Sequence, residues 1–336
     1  MTPRNPWDML SNYESSELVR KQFKACHGRA LSDGKAKEIA ASVRQARNYF
    51  TSATTADRNV RPLLMYYGVL GLSRALTLFL STELRESGLA QAHGLTVLQW
   101  GEELSKPDGD AGALKIRFNE QGTLRQLIEA THHRAFLRNN SSLPNIEATY
   151  EIPPKDAEVV LGELLARIVD IRDAFWRWKE LRRAVVFQPQ GQQPDGTAKV
   201  RVDSPFDETD VSEVLGNSLD FVSKEGGTLT YSAPEGATVP SMLDRTGIWN
   251  IGDLVAVSLM PGGIELSKIA QAFVASYALG MLARYYPSHW MGMLQNHRHD
   301  AALPSLVATL DYVEATFPRL VLEFLEPARM TSLKTS

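Results

Sequence analysis

The chain has 336 residues, which at about 150 residues per domain allows two domains or one large domain carrying an insertion. Hydrophobic residues make up 43% and charged residues 22%, a globular composition that excludes a disordered or collagen-like chain. Thirty-six Lys and Arg against 39 Asp and Glu exclude an overall polybasic coat for nucleic acid or membrane, and the single cysteine, Cys26, excludes an intrachain disulfide and any multi-cysteine metal centre.

Residues 1–30 carry Trp7, Glu14, Glu17, Arg20 and Lys21 with no apolar run of secretion-signal length, so a cytoplasmic location is expected. Ten Lys and Arg against six Asp and Glu make residues 1–60 the basic end of a slightly acidic protein. Ile39, Val43, Ala46 and Phe50 fall at helical spacing within Lys35 to Ser52, and a second helix follows from Pro62 to Glu86, opening on its proline. The second is apolar enough to suggest a membrane span. Arg74 inside it argues instead for a buried core helix, with the guanidinium paired or hydrogen-bonded, and no membrane association is expected.

From Ala92 the pattern changes to short β-favouring runs at Leu95 to Trp100, Leu114 to Phe118, Ala184 to Gln188, Ala198 to Val202 and Thr228 to Ser232, bounded by turn residues. Helices are expected between them at Leu124 to Phe136 and at Lys155 to Arg182, where Val159, Leu161, Leu164, Ile168, Ile171, Phe175 and Trp178 form a broad apolar stripe. Gln188 to Thr197 reads as a polar loop. Asp203, Asp207, Glu208, Asp210, Glu213 and Asp220 read as a solvated helix face. Helical period returns at Ile264 to Tyr285, Pro287 to Gln295 and Ala301 to Leu325, the last broken or kinked near Pro318. The expected fold is therefore helix-dominated α+β: residues 1–91 and 250–336 contribute the helices of a terminal bundle, and residues 92–249 form a mixed α/β insertion.

Asn5-Pro6-Trp7 with Leu10, Ala46-Arg47-Asn48-Tyr49-Phe50 with Ala53, Pro62-Leu63-Leu64-Met65-Tyr66-Tyr67-Gly68, and Arg284-Tyr285-Tyr286-Pro287-Ser288-His289-Trp290 together resemble the YaaC-like family of bacterial proteins. The resemblance spans both ends of the chain, with a looser match through Leu124 to Asn145. It implies a largely helical intracellular protein and supplies no activity.

Arg284 and His289 form the sharpest chemical constellation, with the Arg-x4-His spacing that resembles HEPN-type ribonucleases, small helical domains that dimerise. Arg284 closes a helix, where the dipole favours a cation, and Pro287 starts the next, placing His289 in its first turn. A helix N-terminus keeps an imidazole neutral, as a general base for a ribose 2′-OH must be, while Arg284 would stabilise phosphoryl charge without a metal. The HEPN resemblance implies a bundle of that type and a toxin or phage-defence setting. The bland alternative is that Arg284 caps its helix by bonding free carbonyls and His289 is simply exposed.

His297, His299 and Asp300 could offer three ligands to zinc, yet the two imidazoles share a face only in an extended segment, and no metal or cofactor is expected. His132 and His133 read as a solvated helix end, Cys26 as an inert thiol, and the Tyr66-Tyr67 and Tyr285-Tyr286 pairs as core residues with base stacking as the alternative. P-loop, Rossmann, α/β-hydrolase and zincin signatures are missing from the sequence. The expected function is a non-catalytic interaction protein that binds a partner, or itself as a homodimer, through a helical surface. The alternative is a metal-independent ribonuclease acting on RNA.

Overall fold

The computed structural model describes residues 5–137, 146–192, 197–202, 209, 214, 220–225, 228–232, 247–251, 254–297 and 299–326. In chain order these form α1 (Pro6–Leu10), α2 (Ser16–His27), α3 (Asp33–Thr55), α4 (Arg61–Leu80), β1 (Leu95–Leu98), α5 (Trp100–Ser105), β2 (Lys115–Phe118) and α6 (Thr123–Ala130). Then come β3 (Arg134–Leu137), β4 (Ile146–Thr149), β5 (Glu158–Val160), α7 (Leu161–Leu165) and α8 (Arg172–Lys179). Six strands follow: β6 (Ala184–Gln192), β7 (Thr197–Val202), β8 (Asp220–Glu225), β9 (Thr228–Ser232), β10 (Gly247–Ile251) and β11 (Leu254–Val257). Three helices close the series, α9 (Lys268–Tyr285), α10 (Pro287–Leu294) and α11 (Leu303–Leu325). This is a helix-dominated α+β fold.

The described residues divide into two compact units, one within Met1–Arg134, Thr149–Gly162 and Leu266–Ser336, the other within Ala135–Ala148 and Glu163–Glu265. The first unit is helical and its boundaries differ from those expected at residues 92 and 249, because the small antiparallel sheet β1-β2-β5 and α6 belong with the terminal helices. Local capping starts and stops those helices. Ser15 and Ser32 side chains accept from the Leu18 and Lys35 N–H groups, and Gly28 ends α2 in the left-handed conformation at φ 67°. Lys35 is 2% exposed and donates through Nζ to the Ser81 and Thr82 carbonyls at 2.7 and 2.8 Å, closing the end of α4; burial pushes its pKa down to about 8.

Helix α4 is the axis of this unit, and two glycines let its neighbours come close. A Cβ on Gly68 would lie 2.6 Å from the Phe50 ring of α3, and one on Gly280 of α9 would lie 2.8 Å from the Tyr66 Cβ. Helix α4 is long and apolar enough to cross a membrane by length and composition, and 67% of its apolar window is buried inside the protein. Arg74 departs from expectation: it is half-buried, and no ion pair or hydrogen bond holds it among the described residues. A long methylene stem lets an arginine at such a position reach water without a partner.

The second unit contains a six-stranded antiparallel sheet of order β10-β11-β6-β7-β9-β8, with β11 and β6 in register at Val255↔Val186. Arg167, 3% exposed, ties this unit together. Its Nε donates to the Ser258 carbonyl at 2.7 Å, Nη1 to the Glu163 carbonyl and carboxylate at 2.6 Å each, and Nη2 to the Leu259 carbonyl at 2.6 Å.

The main correction to the sequence reading lies at Lys155 to Arg182. One long helix was expected there, but β5, α7, a 3-10 turn at Val169–Ile171 and α8 occupy the segment. Its apolar residues fit a helical period, yet Val159 pairs with Ile116 of β2 and Arg167 is drawn inward by carbonyls, so tertiary bonding overrides the local pattern. Likewise α6 ends at Ala130 and β3 begins at Arg134, where the expected helix would have continued to Phe136. Strand β6 runs through the expected loop to Gln192, with a bulge between Pro189 and Gly191 that accommodates the proline. Helix α11 is continuous with Pro318 inside it. Asp203, Asp207, Glu208, Asp210 and Glu213 lie outside the described residues, and Asp220 begins β8.

Candidate functional site

Helix α9 is buried from Ile269 through Leu282 and surfaces only in its last turn, where Arg284 and Tyr285 are exposed, Tyr285 to 57%. The helix stops because Pro287 cannot continue its ladder. The Tyr286 N–H closes α9 on the Leu282 carbonyl at 3.0 Å, and the Tyr286 carbonyl accepts from both His289 and Trp290 at the start of α10. Trp290, 1% exposed, turns inward and donates its indole N–H to the Arg58 carbonyl at 3.0 Å, tying α10 to the turn between α3 and α4.

Arg284 does not bond the helix carbonyls. Its Nη1 donates to the Tyr67 hydroxyl at 3.1 Å, and its guanidinium carbon lies 5.0 Å from the centre of the Tyr285 ring. Tyr67 is half-buried and packs against Tyr49 at 5.5 Å between ring centres. His289 is half-buried with its ring 6.5 Å from that of Tyr286, which in turn lies 5.9 Å from the buried Trp100. Of the two residues picked from the sequence, Arg284 meets Tyr67 of α4 and its neighbour Tyr285, and His289 lies against Tyr286.

A different histidine shares the electrostatic surroundings of Arg284. His93 Nδ1 lies 2.7 Å from the hydroxyl of Tyr66, which is wholly buried. Burial pushes the Tyr66 phenol far above its ordinary range, so it keeps its proton, and phenol and imidazole share one hydrogen bond. Burial, and after it the charge of Arg284, lowers the pKa of His93, which favours the neutral ring. Tyr277 completes the group, its hydroxyl donating to the Leu95 carbonyl at 3.1 Å and its pKa pushed up to about 12 by burial. The arrangement offers an imidazole, an exposed guanidinium and several phenol rings, a set suited to recognition. The sequence reading missed His93, which stands in Ala92-His93-Gly94 without any spacing signal.

The tyrosine pairs divide as their helices do: Tyr66 is core, Tyr67 and Tyr286 are half-buried, and Tyr285 is exposed. His133 corrects another expectation. His132 is exposed, but His133 is fully buried, donates from Nδ1 to the Glu151 carbonyl at 2.8 Å and accepts the Ser267 N–H on Nε2 at 3.1 Å. Both ring nitrogens are used by backbone, which requires the neutral ring, and burial pushes its pKa down to about 4. The Cys26 thiol is half-buried and pushed up by burial and by Glu326, which disfavours the reactive thiolate. Among the described residues no group of three His, Cys, Asp or Glu could hold a metal ion; His299 sits in the left-handed conformation at φ 52° and Asp300 opens a 3-10 turn.

The four motifs that carry the family resemblance meet in this unit. Trp7 packs edge-on against Phe50 at 5.3 Å, Phe50 covers Gly68, and Tyr67 receives Arg284. Trp7, Phe50, Arg61 and Glu314 line a concavity of about 730 Å³, with Arg61 2.6 Å from Glu314 and 2.7 Å from Asp311. A family model described as YaaC-like protein matches residues 11–325. The chain belongs to the YaaC-like family. No curated protein and no solved structure matches the chain.

Proposed function

We propose that this YaaC-like protein is a non-catalytic interaction protein of the cytosol, engaging a protein partner or a second copy of itself through the surface around Arg284 and Tyr285. The observation that carries this reading is the change in α9, buried for most of its length and then presenting a guanidinium and a 57%-exposed tyrosine side by side. Tyrosine and arginine are enriched among the side chains that anchor protein interfaces, because each combines contact area with hydrogen bonding, tyrosine at low entropic cost. Tyr67 holds the guanidinium in place before any partner arrives.

Size-exclusion chromatography with light scattering, run over a range of protein concentrations, tests self-association. The expected result is a dimer that dissociates in the Arg284→Ala/Tyr285→Ala double variant with its melting temperature retained. A monomer at every concentration leaves the protein partner, sought by affinity capture with the double variant as control. The ribonuclease reading replaces this one if the purified protein cleaves single-stranded RNA without divalent metal, leaves a 2′,3′-cyclic phosphate, and loses that activity in a folded His289→Ala variant.

A further inference from the structure

Helix α4 is buried over most of its length and comes toward solvent on one stripe. Leu63, Tyr67, Leu70 and Arg74 are half-buried, and their spacing of four, three and four residues sets them on a single face. Arg284 reaches the same stripe from α9, its Nη1 donating to the Tyr67 hydroxyl at 3.1 Å. Tyr67 and Arg74 stand two turns apart, about 10 Å along the helix, with Leu70 between them.

Neither arginine has a carboxylate among the described residues. Arg74 has no hydrogen bond or ion pair there, and Arg284 has the Tyr67 hydroxyl and the Tyr285 ring. Other arginines of this unit are paired: Arg47 with Glu14, Arg61 with Asp311 and Glu314, and Arg85 with Glu38. After burial, the charge of Arg284 lowers the pKa of His93, and no carboxylate among the described residues offsets it. The stripe therefore combines uncompensated positive charge with half-buried leucines.

We infer that this stripe docks an acidic segment of a protein partner, which places carboxylates about 10 Å apart against Arg284 and Arg74 and an apolar side chain between them on Leu70. The inference rests on the proposed function, which puts the partner at Arg284, and adds the chemistry of that partner. A guanidinium matches a carboxylate with two parallel N–H donors, and the bond to Tyr67 leaves Arg284 donors to do so. A nucleic-acid strand is the lesser fit, because a phosphate backbone is held against salt by many cations and offers nothing apolar to Leu63 and Leu70.

Fluorescence anisotropy tests this with the full chain and a fluorescein-labelled peptide of about 15 residues, glutamate at every third or fourth position among leucine and alanine. The parent should bind it, and more weakly as KCl rises from about 50 to about 500 mM. Arg74→Ala and Arg284→Ala should each weaken binding about fivefold. Arg74→Gln keeps much of the stem without the charge and should lose as much as Arg74→Ala. The Arg74→Glu/Arg284→Glu double variant should reject the glutamate peptide and take up its lysine counterpart. No binding by the parent, equal binding of the glutamine counterpart, or undiminished binding by the Arg74 variants overturns the inference. Preference for an oligothymidylate, lost in the same variants, would assign the stripe to phosphate and overturn it too. A dimer or captured partner that is lost in Arg284→Ala/Tyr285→Ala but indifferent to Arg74→Ala and Arg74→Gln would overturn the acidic partner while leaving the proposed function standing.

Discussion

Arg167 and Arg284 lie in different units of the same chain and use the same functional group in opposite ways. Arg167 is 3% exposed and has its guanidinium nitrogens distributed over the carbonyls of Glu163, Ser258 and Leu259 and the Glu163 carboxylate. Arg284 is exposed, with one hydrogen bond to a hydroxyl and one face against an aromatic ring. A buried charge must be fully satisfied by its own fold, and once satisfied it has little left for a ligand. An exposed charge held by one phenol retains donors for something else. The contrast separates residues that hold the fold from residues that face outward, and substitutions can break it or sharpen it.

The largest effect is expected at Trp290, whose buried indole both fills space and satisfies the Arg58 carbonyl. Trp290→Ala should lower stability by about 3–5 kcal/mol in urea denaturation, and a loss near zero would place it among the outward-facing residues. Next is Arg167→Ala, expected to cost about 3 kcal/mol by leaving Glu163 and three backbone carbonyls short of donors, with Arg183, 3.4 Å from Glu163, softening the loss. Unchanged urea unfolding in that variant would remove the distinction between the two arginines.

His133 should make stability depend on pH in a defined direction. Its folded pKa, about 4, lies below the ordinary 6.5, so between these values the unfolded chain binds a proton that the folded chain refuses. The contribution is complete above about pH 6.5 and is lost as pH falls toward 4, amounting to about 3 kcal/mol over that window. Unfolding free energies measured across that range should therefore rise with pH, and the slope should shrink in His133→Phe. A slope shared equally by parent and variant would assign it to other groups.

The smallest effects are expected at the outward-facing cations. Arg284→Ala and Arg74→Ala should each change stability by about 0.5 kcal/mol or less, since neither is held by a carboxylate among the described residues. A loss of several kcal/mol at Arg284 would show it to be a helix clamp and would weaken the interaction reading directly.

Helices α3, α4, α9, α10 and α11 were legible in the sequence because their signals are local: a 3.6-residue apolar period, Pro62 and Pro287 in first turns, and an apolar stretch too long to be a strand. The strands at Leu95, Lys115, Ala184 and Thr228 were legible from alternation and turn residues. Residues 155–182 were misread because Val159 and Phe175 fit a helical stripe equally well as strand and short-helix residues.

The chain's own order of residues determined which segments could coil, where they had to stop, and that Arg284 would sit at a helix end beside a tyrosine. Those outcomes depend on neighbours within a few residues, whose sterics and hydrogen bonds are the same wherever the segment ends up. Only the tertiary structure decided that Arg284 meets Tyr67 across 217 residues, that His93 shares its field, and that His133 is sealed between Glu151 and Ser267 while His132 is left in water. The physical reason is that desolvation and pairing are properties of a place. Two adjacent histidines of identical chemistry acquire opposite roles when packing removes water from one and leaves it on the other.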